Sequence, residues 1–297
     1  MNERHASLRG RALVQDRSRV YLELTKPRIT AMVLLTVGVG YALAPVHDNP
    51  VVLLHLLFGA MLSCSGAGAL NQYLERDTDA VMARTRFRPL PTHRVSASTV
   101  LTLGILLSAG GCGYLLLNTN ALTASLDALT VVSYLFVYTP LKRIAPTSTL
   151  AGAIPGAVPP MMGWTAATGT IDGGAWALFG LLFLWQIPHF LAIGRMYRQD
   201  YAHGGFPMLV LVDDSTAGRQ MVLYTIGLLV VSLAPVRLGL VGLTYLALAG
   251  VAGLTYSAAA LWACRRADVR SARALLLVSV IYLPVMFAAL FVDGLVR

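Results

Sequence analysis

Charge is what this sequence has least of. Asp, Glu, Lys and Arg make up 12% of its 297 residues, about half the share of an average soluble domain. With 56% hydrophobic residues, a chain of this size cannot clothe a soluble globule, and the composition points to a polytopic membrane protein. Cysteine is nearly absent. Cys64, Cys112 and Cys264 share no CxxC or Cys/His pattern, which argues against a zinc ribbon, an iron–sulphur centre and a disulfide scaffold. They read as small buried hydrophobes. No short repeat is visible. The polar and basic stretch over 1–24 precedes an apolar run without a small-residue cleavage pattern, so it is not a signal peptide. The net charge is +9, but the basic residues fall in short clusters between apolar runs. They form no nucleic-acid face, and no nucleic-acid partner is expected.

The apolar runs are each near the roughly 20 residues that a bilayer core requires. They predict an all-α bundle of nine transmembrane helices over 29–46, 51–71, 96–117, 122–140, 148–168, 174–194, 219–236, 239–261 and 273–292. A basic extension over 1–24, ending in an interfacial helix, precedes a membrane-embedded domain over 25–297. With a cytoplasmic N-terminus, 21 of the 23 Lys and Arg fall on the cytoplasmic side, leaving Arg237 and Arg297 outside. That asymmetry is the positive-inside pattern, and one miscounted early crossing would destroy it. The outer connections are short. Loops over 72–95 and 195–218 are longer and hold most of the unusual polar residues, so the chemistry should face the cytoplasm. Glycines such as Gly66, Gly68, Gly110, Gly111, Gly113, Gly152 and Gly156 suit close helix approach in lipid. Pro155, Pro159 and Pro160 predict a kinked fifth helix.

The segment Asn71 to Pro91 organises the rest. Asn71, Glu75 and Asp79 are spaced i, i+4, i+8, which stacks them on one helical face. Asp77 points elsewhere on the turn but remains within reach of a metal. Such a cluster at the mouth of an apolar helix is costly unless something positive sits among it. Oxygen ligands of this kind suit Mg²⁺, which binds the rest of its shell through water and substrate phosphates. Arg84 and Arg88 follow at once, and guanidiniums beside metal-bridging carboxylates make a diphosphate site.

Two further clusters join it. Tyr138 lies one turn before Lys142 and Arg143, and Lys142 is the natural additional clamp for an anion. Gln186 and His189, three apart in an apolar span, are expected to share a face; Pro188 lies between them. Asp200 beyond them would complete a second metal position. Together these groups favour transfer of a prenyl group. An allylic diphosphate leaves only when its charge is neutralised, and the resulting cation needs a dry apolar pocket with aromatic faces.

At these residues the chain resembles the membrane-embedded aromatic prenyltransferase superfamily. Asn71, Glu75 and Asp79 match its Asn-x-x-x-Asp-x-x-x-Asp signature with Glu in the middle, and Tyr138 to Arg143 is similar to its Tyr-Thr-x-x-Lys-Arg segment. Gly156, Pro159, Pro160, Gly163 and Trp164 resemble its next helix. Trp185-Gln186-x-Pro188-His189-Phe190, Asp200-Tyr201 and Gly205-x-Pro207-Met208 resemble its haem-modifying branch. Quinone-pathway members carry a second Asp-x-x-x-Asp instead, and here Met196 stands four before Asp200.

The resemblance implies farnesyl diphosphate as donor, haem B as acceptor and Mg²⁺ as cofactor. It implies Asn71, Glu75, Asp79 and Asp200, with Asp77 as a further ligand, for metal and diphosphate. Arg84, Arg88, Lys142 and Arg143 would contact diphosphate, with Tyr138, Gln186 and His189 in the substrate pocket. His189 would be an iron ligand or a propionate partner. It further implies a bacterial inner-membrane location within the lipid bilayer, and haem A synthase or terminal-oxidase assembly proteins as partners. The competing expectations are prenylation of a quinone precursor such as 4-hydroxybenzoate, and a transporter that breaks no bond.

Overall fold

A computed structural model describes residues 18–46 and 49–295. The expected extension over 1–17 lies outside the described residues. The chain is helical, with no strand among the described residues. Helix α1 (18–24) is amphipathic, and its Leu24 is fully buried in a small cluster with Ala69, Leu90 and Val100. Then come α2 (Pro27–Ala42), α3 (Pro50–Val81) and α4 (Ala97–Asn118). Next are α5 (Ala121–Leu141), α6 (Ser148–Ala157), α7 (Pro159–Thr168) and α8 (Gly173–Met196). The chain ends through the short α9 (Arg198–His203) and α10 (Leu209–Val212) into α11 (Asp214–Arg237), α12 (Leu243–Arg266) and α13 (Val269–Leu295). Seven of these, α3, α4, α5, α8, α11, α12 and α13, are long and apolar enough to cross a membrane.

Local chemistry sets the limits of these helices. Asn49, Ser96, Asn120, Asp172 and Asp213 each accept backbone N–H bonds at a helix start, satisfying donors that a first turn leaves open. The expected fifth span is two helices, α6 and α7, broken at Val158. Pro159 and Pro160 supply no N–H there, so the i→i−4 ladder cannot continue. In α5, Ser133–Tyr138 widens into a π-helical turn. Pro140 follows, and just before it Thr139 bonds back to the Tyr134 carbonyl through both its amide and its hydroxyl, the latter at 2.8 Å. Helix α3 runs ten residues past the expected end at 71, because its polar face is buried against protein rather than released to solvent.

Small residues let the helices approach. An added Cβ on Gly66 or Gly111 would overlap backbone atoms of the facing helix of the α3–α4 pair. Gly110 and Gly113 face open space. Polar pairs tie helices inside the apolar bundle: the Ser63 hydroxyl donates to Asp127 at 2.6 Å, joining α3 to α5. The C-terminal ends of α3, α5 and α8 gather with the start of α2 at one end of the bundle, and the polar groups collect there.

Candidate active site at one end of the bundle

The face predicted from spacing is present and buried. Asn71, Glu75 and Asp79 all point inward from the last turns of α3. Each meets a cation. Lys26 Nζ donates to Asn71 Oδ1 at 2.7 Å, Lys142 Nζ to Glu75 Oε1 at 3.2 Å, and Arg88 Nη1 to Asp79 Oδ2 at 2.6 Å. Asn71 also donates to Thr139 Oγ1 at 3.3 Å, so the π-turn of α5 supports the stack. The acids answer the requirement that a carboxylate buried in an apolar setting be paired.

Asp77 stands apart. Two residues on from Glu75 is 200° around the helix, and its side chain is 80% exposed, 3.7 Å from Arg76, against 6% for Glu75. Arg84 lies over the rings of Tyr197 and Tyr201, 5.8 and 6.0 Å from their centroids. Arg143 is exposed and donates to the Leu74 carbonyl at 2.8 Å, which ties α5 to α3. Tyr138 stacks on Tyr134 at 5.8 Å and packs against Gly152. Lys142 sits 4.4 Å above the buried Phe206 ring, a cation–π contact from the second inner loop.

That second loop closes on the first. Asp200 Oδ1 accepts from the Ala83 amide at 2.6 Å. Its Oδ2 is buried with no hydrogen-bond partner among the described residues. A carboxylate oxygen left bare beside a cationic cradle fits a bound cation. Among the described residues no three His, Cys, Asp or Glu side chains are grouped to hold a metal by themselves. This suits Mg²⁺ carried by one or two carboxylates plus substrate phosphate, not a closed protein cage.

Lys26 is the residue the sequence did not single out. It precedes Pro27, has a left-handed backbone (φ 48°), and reaches Asn71, one helical turn before the Glu75 that Lys142 meets. The Gln72 amide holds the preceding carbonyls of Glu23 and Leu24, both at 3.1 Å, fixing that turn. Burial, then the neighbouring Arg88, pulls the Lys26 ammonium from 10.5 down to about 8, against the upward pull of Glu75. The Lys-Pro-Arg run before the first apolar stretch was its only signal.

Gln186 and His189 do not share a neighbour. Three residues leave them 60° apart, enough to turn them to different helices. Gln186 Nε2 donates to the Ala153 carbonyl of α6 at 2.8 Å, and its Oε1 fills the gap left by Gly156. His189 turns to α13, where its Nδ1 lies 2.7 Å from Ser279 Oγ. Its position is about 10 Å deeper than the end of α8 at Met196.

Residues 33–291 match the UbiA prenyltransferase family. The protoheme IX farnesyltransferase of Solibacter usitatus (strain Ellin6076) is 43% identical over 287 residues, covering 93% of this chain and 98% of that one. The fold is similar to that of a digeranylgeranylglyceryl phosphate synthase, with a TM-score of 0.82 at 14% identity over 94% of this chain and 99% of that chain. It is also similar to a UbiA homolog from Archaeoglobus fulgidus bound to DMAPP and Mg²⁺, with a TM-score of 0.63 at 14% identity over 91% and 98% of the two chains.

Proposed function

Given that the chain belongs to the UbiA prenyltransferase family, we propose that it transfers a farnesyl group from farnesyl diphosphate to protohaem IX. The product is haem O. The observation that carries the transfer is the buried stack of Asn71, Glu75 and Asp79 faced by Lys26, Lys142 and Arg88 at one end of an apolar bundle. The acceptor is argued from the 43% identity to a protoheme IX farnesyltransferase over nearly the full length of both chains.

Around the acids stand more cations than carboxylates, a surplus suited to a diphosphate. Lys26, Arg84, Arg88 and Lys142 bind its oxygens, with charge-assisted hydrogen bonds that strengthen as the leaving group gains charge. One or two of the carboxylates of Glu75, Asp79 and Asp200, with Asn71 beside them, would hold Mg²⁺ together with the diphosphate itself, and the bound ion would neutralise the leaving group. Asp77, turned outward, is left out of this set, and Arg143 braces α3. When the C–O bond breaks, both electrons leave with diphosphate and the farnesyl chain is left as an allylic cation. The terminal vinyl carbon of haem attacks C1 of that cation, and positive charge moves to the vinyl carbon next to the porphyrin. Water adds there and loses a proton, giving a hydroxyethylfarnesyl group. The apolar helices keep other water from the cation before the vinyl group reaches it.

The same reading gives nine crossings, counting α2 and the broken α6–α7 rod, with a cytoplasmic N-terminus in a bacterial inner membrane. Its support is the one-sided distribution of Lys and Arg and the gathering of the site at the end that carries them. Haem A synthase or terminal-oxidase assembly proteins are the partners that a haem O producer would serve.

The test is incubation of membranes carrying the protein with haem B and labelled farnesyl diphosphate, followed by mass analysis of the porphyrin. Haem O and diphosphate are expected, and chelation of Mg²⁺ should stop both. Label on 4-hydroxybenzoate with haem untouched would overturn the acceptor, and no diphosphate release would overturn the enzyme class.

Lys26 adds a pH signature. A bound diphosphate favours the charged ammonium, so above about pH 8 the free enzyme must take up a proton in order to bind. The KM for farnesyl diphosphate should therefore rise by up to about tenfold per pH unit above that point. A Lys26→Arg variant, charged throughout, should give a flat profile. A KM that climbs equally in both proteins would remove Lys26 from the site.

A further inference from the structure

The hydrogen-bond partners of His189 fix which of its nitrogens carries the proton. Ser279 Oγ lies 2.6 Å from the Leu276 carbonyl oxygen and 2.7 Å from His189 Nδ1. A carbonyl can only accept, so a 2.6 Å contact between two oxygens requires the single hydroxyl hydrogen to lie between them. Ser279 then has only lone pairs to offer His189, and Nδ1 must be the donor. In a neutral imidazole this leaves Nε2 as a bare lone pair, and Nε2 makes no hydrogen bond among the described residues.

The ring is held as well as polarised. Trp185 stacks on it at 4.9 Å, and the Trp185 indole N–H donates to the Ser279 carbonyl at 2.8 Å. The Tyr256 hydroxyl donates to the Trp185 carbonyl at 2.9 Å, which brings α12 into the same brace. Three helices therefore fix a half-buried imidazole in one tautomer within an apolar span. An immobilised Nε2 lone pair with no protein partner is a ligand for a soft-to-borderline metal.

We propose that Ser279 is a positioning residue that locks His189 in the Nδ1–H form, so that Nε2 ligates the iron of the metalloporphyrin acceptor. Ligation holds the acceptor by its centre and fixes the depth of its vinyl edge relative to the diphosphate cradle. This rests on haem being the acceptor, and the experiment separates the two ideas.

Purified full-length protein in lipid nanodiscs is titrated with haem B and, separately, with iron-free protoporphyrin IX, following the Soret band. Wild type should give the spectrum of a histidine-ligated iron, and His189→Ala should lose it. Ser279→Ala should bind haem B about tenfold more weakly and bind protoporphyrin IX as wild type does. Ser279→Thr, which keeps the hydroxyl, should restore the haem affinity. Equal weakening of both porphyrins by Ser279→Ala, or no weakening, overturns the proposal, because the residue would then shape the pocket or do nothing. A wild-type enzyme that turns over haem B without a histidine-ligated spectrum also overturns it, leaving the acceptor intact. A wild type that neither binds nor modifies haem removes both.

Discussion

Asp79→Asn is expected to lower farnesyl transfer by about a thousandfold while the protein still inserts and folds. The side chains are nearly isosteric, and the amide oxygen of Asn can still accept from Arg88, now 2.6 Å from Asp79 Oδ2. What disappears is one negative charge at the end of a buried stack. Breaking a buried ion pair usually costs about 3–5 kcal/mol, but Arg88 is 26% exposed and keeps a hydrogen bond. The stability loss should therefore be smaller, about 1–2 kcal/mol. The reaction cannot compensate in the same way, because the departing diphosphate needs its countercharge fixed before the bond breaks. Diphosphate release and thermal unfolding of the solubilised protein measure the two effects separately.

The double variant Asp79→Asn, Arg88→Gln decides between a structural and a chemical pair. If the pair serves only to fill the bundle with matched charge, neutralising both partners should recover activity along with stability. A chemical role predicts recovered stability and still lower activity, since a diphosphate contact is lost as well. Full turnover by folded Asp79→Asn protein would remove the acid from the site.

The acid stack was readable in the sequence because a helix converts i, i+4, i+8 into one face whatever surrounds it. Its phase also turns Asp77 away, and the apolar runs with one-sided charge gave the helical bundle. The cations were harder. Arg88 is nine residues from its partner, but Lys26 and Lys142 reach Asn71 and Glu75 across 45 and 67 residues. Nothing in local spacing says which lysine arrives. Arg143, one residue from Lys142, spends its guanidinium on the Leu74 carbonyl instead. The relation of Gln186 to His189 failed for the same reason. A 60° difference in phase matters only once α6 and α13 lie on either side of α8. Helix periodicity is a property of one segment, whereas partner choice depends on how several segments are rotated against one another.

That rotation depends most sharply on the α2–α7 crossing, where Gly163→Ala is expected to cost about 3 kcal/mol or more and to leave little folded protein. A Cβ on Gly163 would overlap the Val37 carbonyl oxygen and the Tyr41 amide nitrogen, and one on Gly40 would overlap the Pro160 carbonyl. Both obstacles are backbone, so no side-chain rotamer relieves them; the helices must separate. Gly110→Ala, placed where a Cβ meets nothing, is the matched control and should unfold at the wild-type temperature. The consequence reaches the site because α2 begins immediately after Lys26, and α2 is held chiefly by this crossing. Any Gly163→Ala protein that does fold should therefore bind farnesyl diphosphate more weakly, as Lys26 moves away from Asn71, while the Trp185–His189–Ser279 brace between α8 and α13 keeps its haem spectrum. Wild-type stability in Gly163→Ala would mean that the two helices do not cross this closely. A loss of haem binding matching that of farnesyl diphosphate would mean that the bundle yields as one body, and that the crossing does not govern the diphosphate end alone.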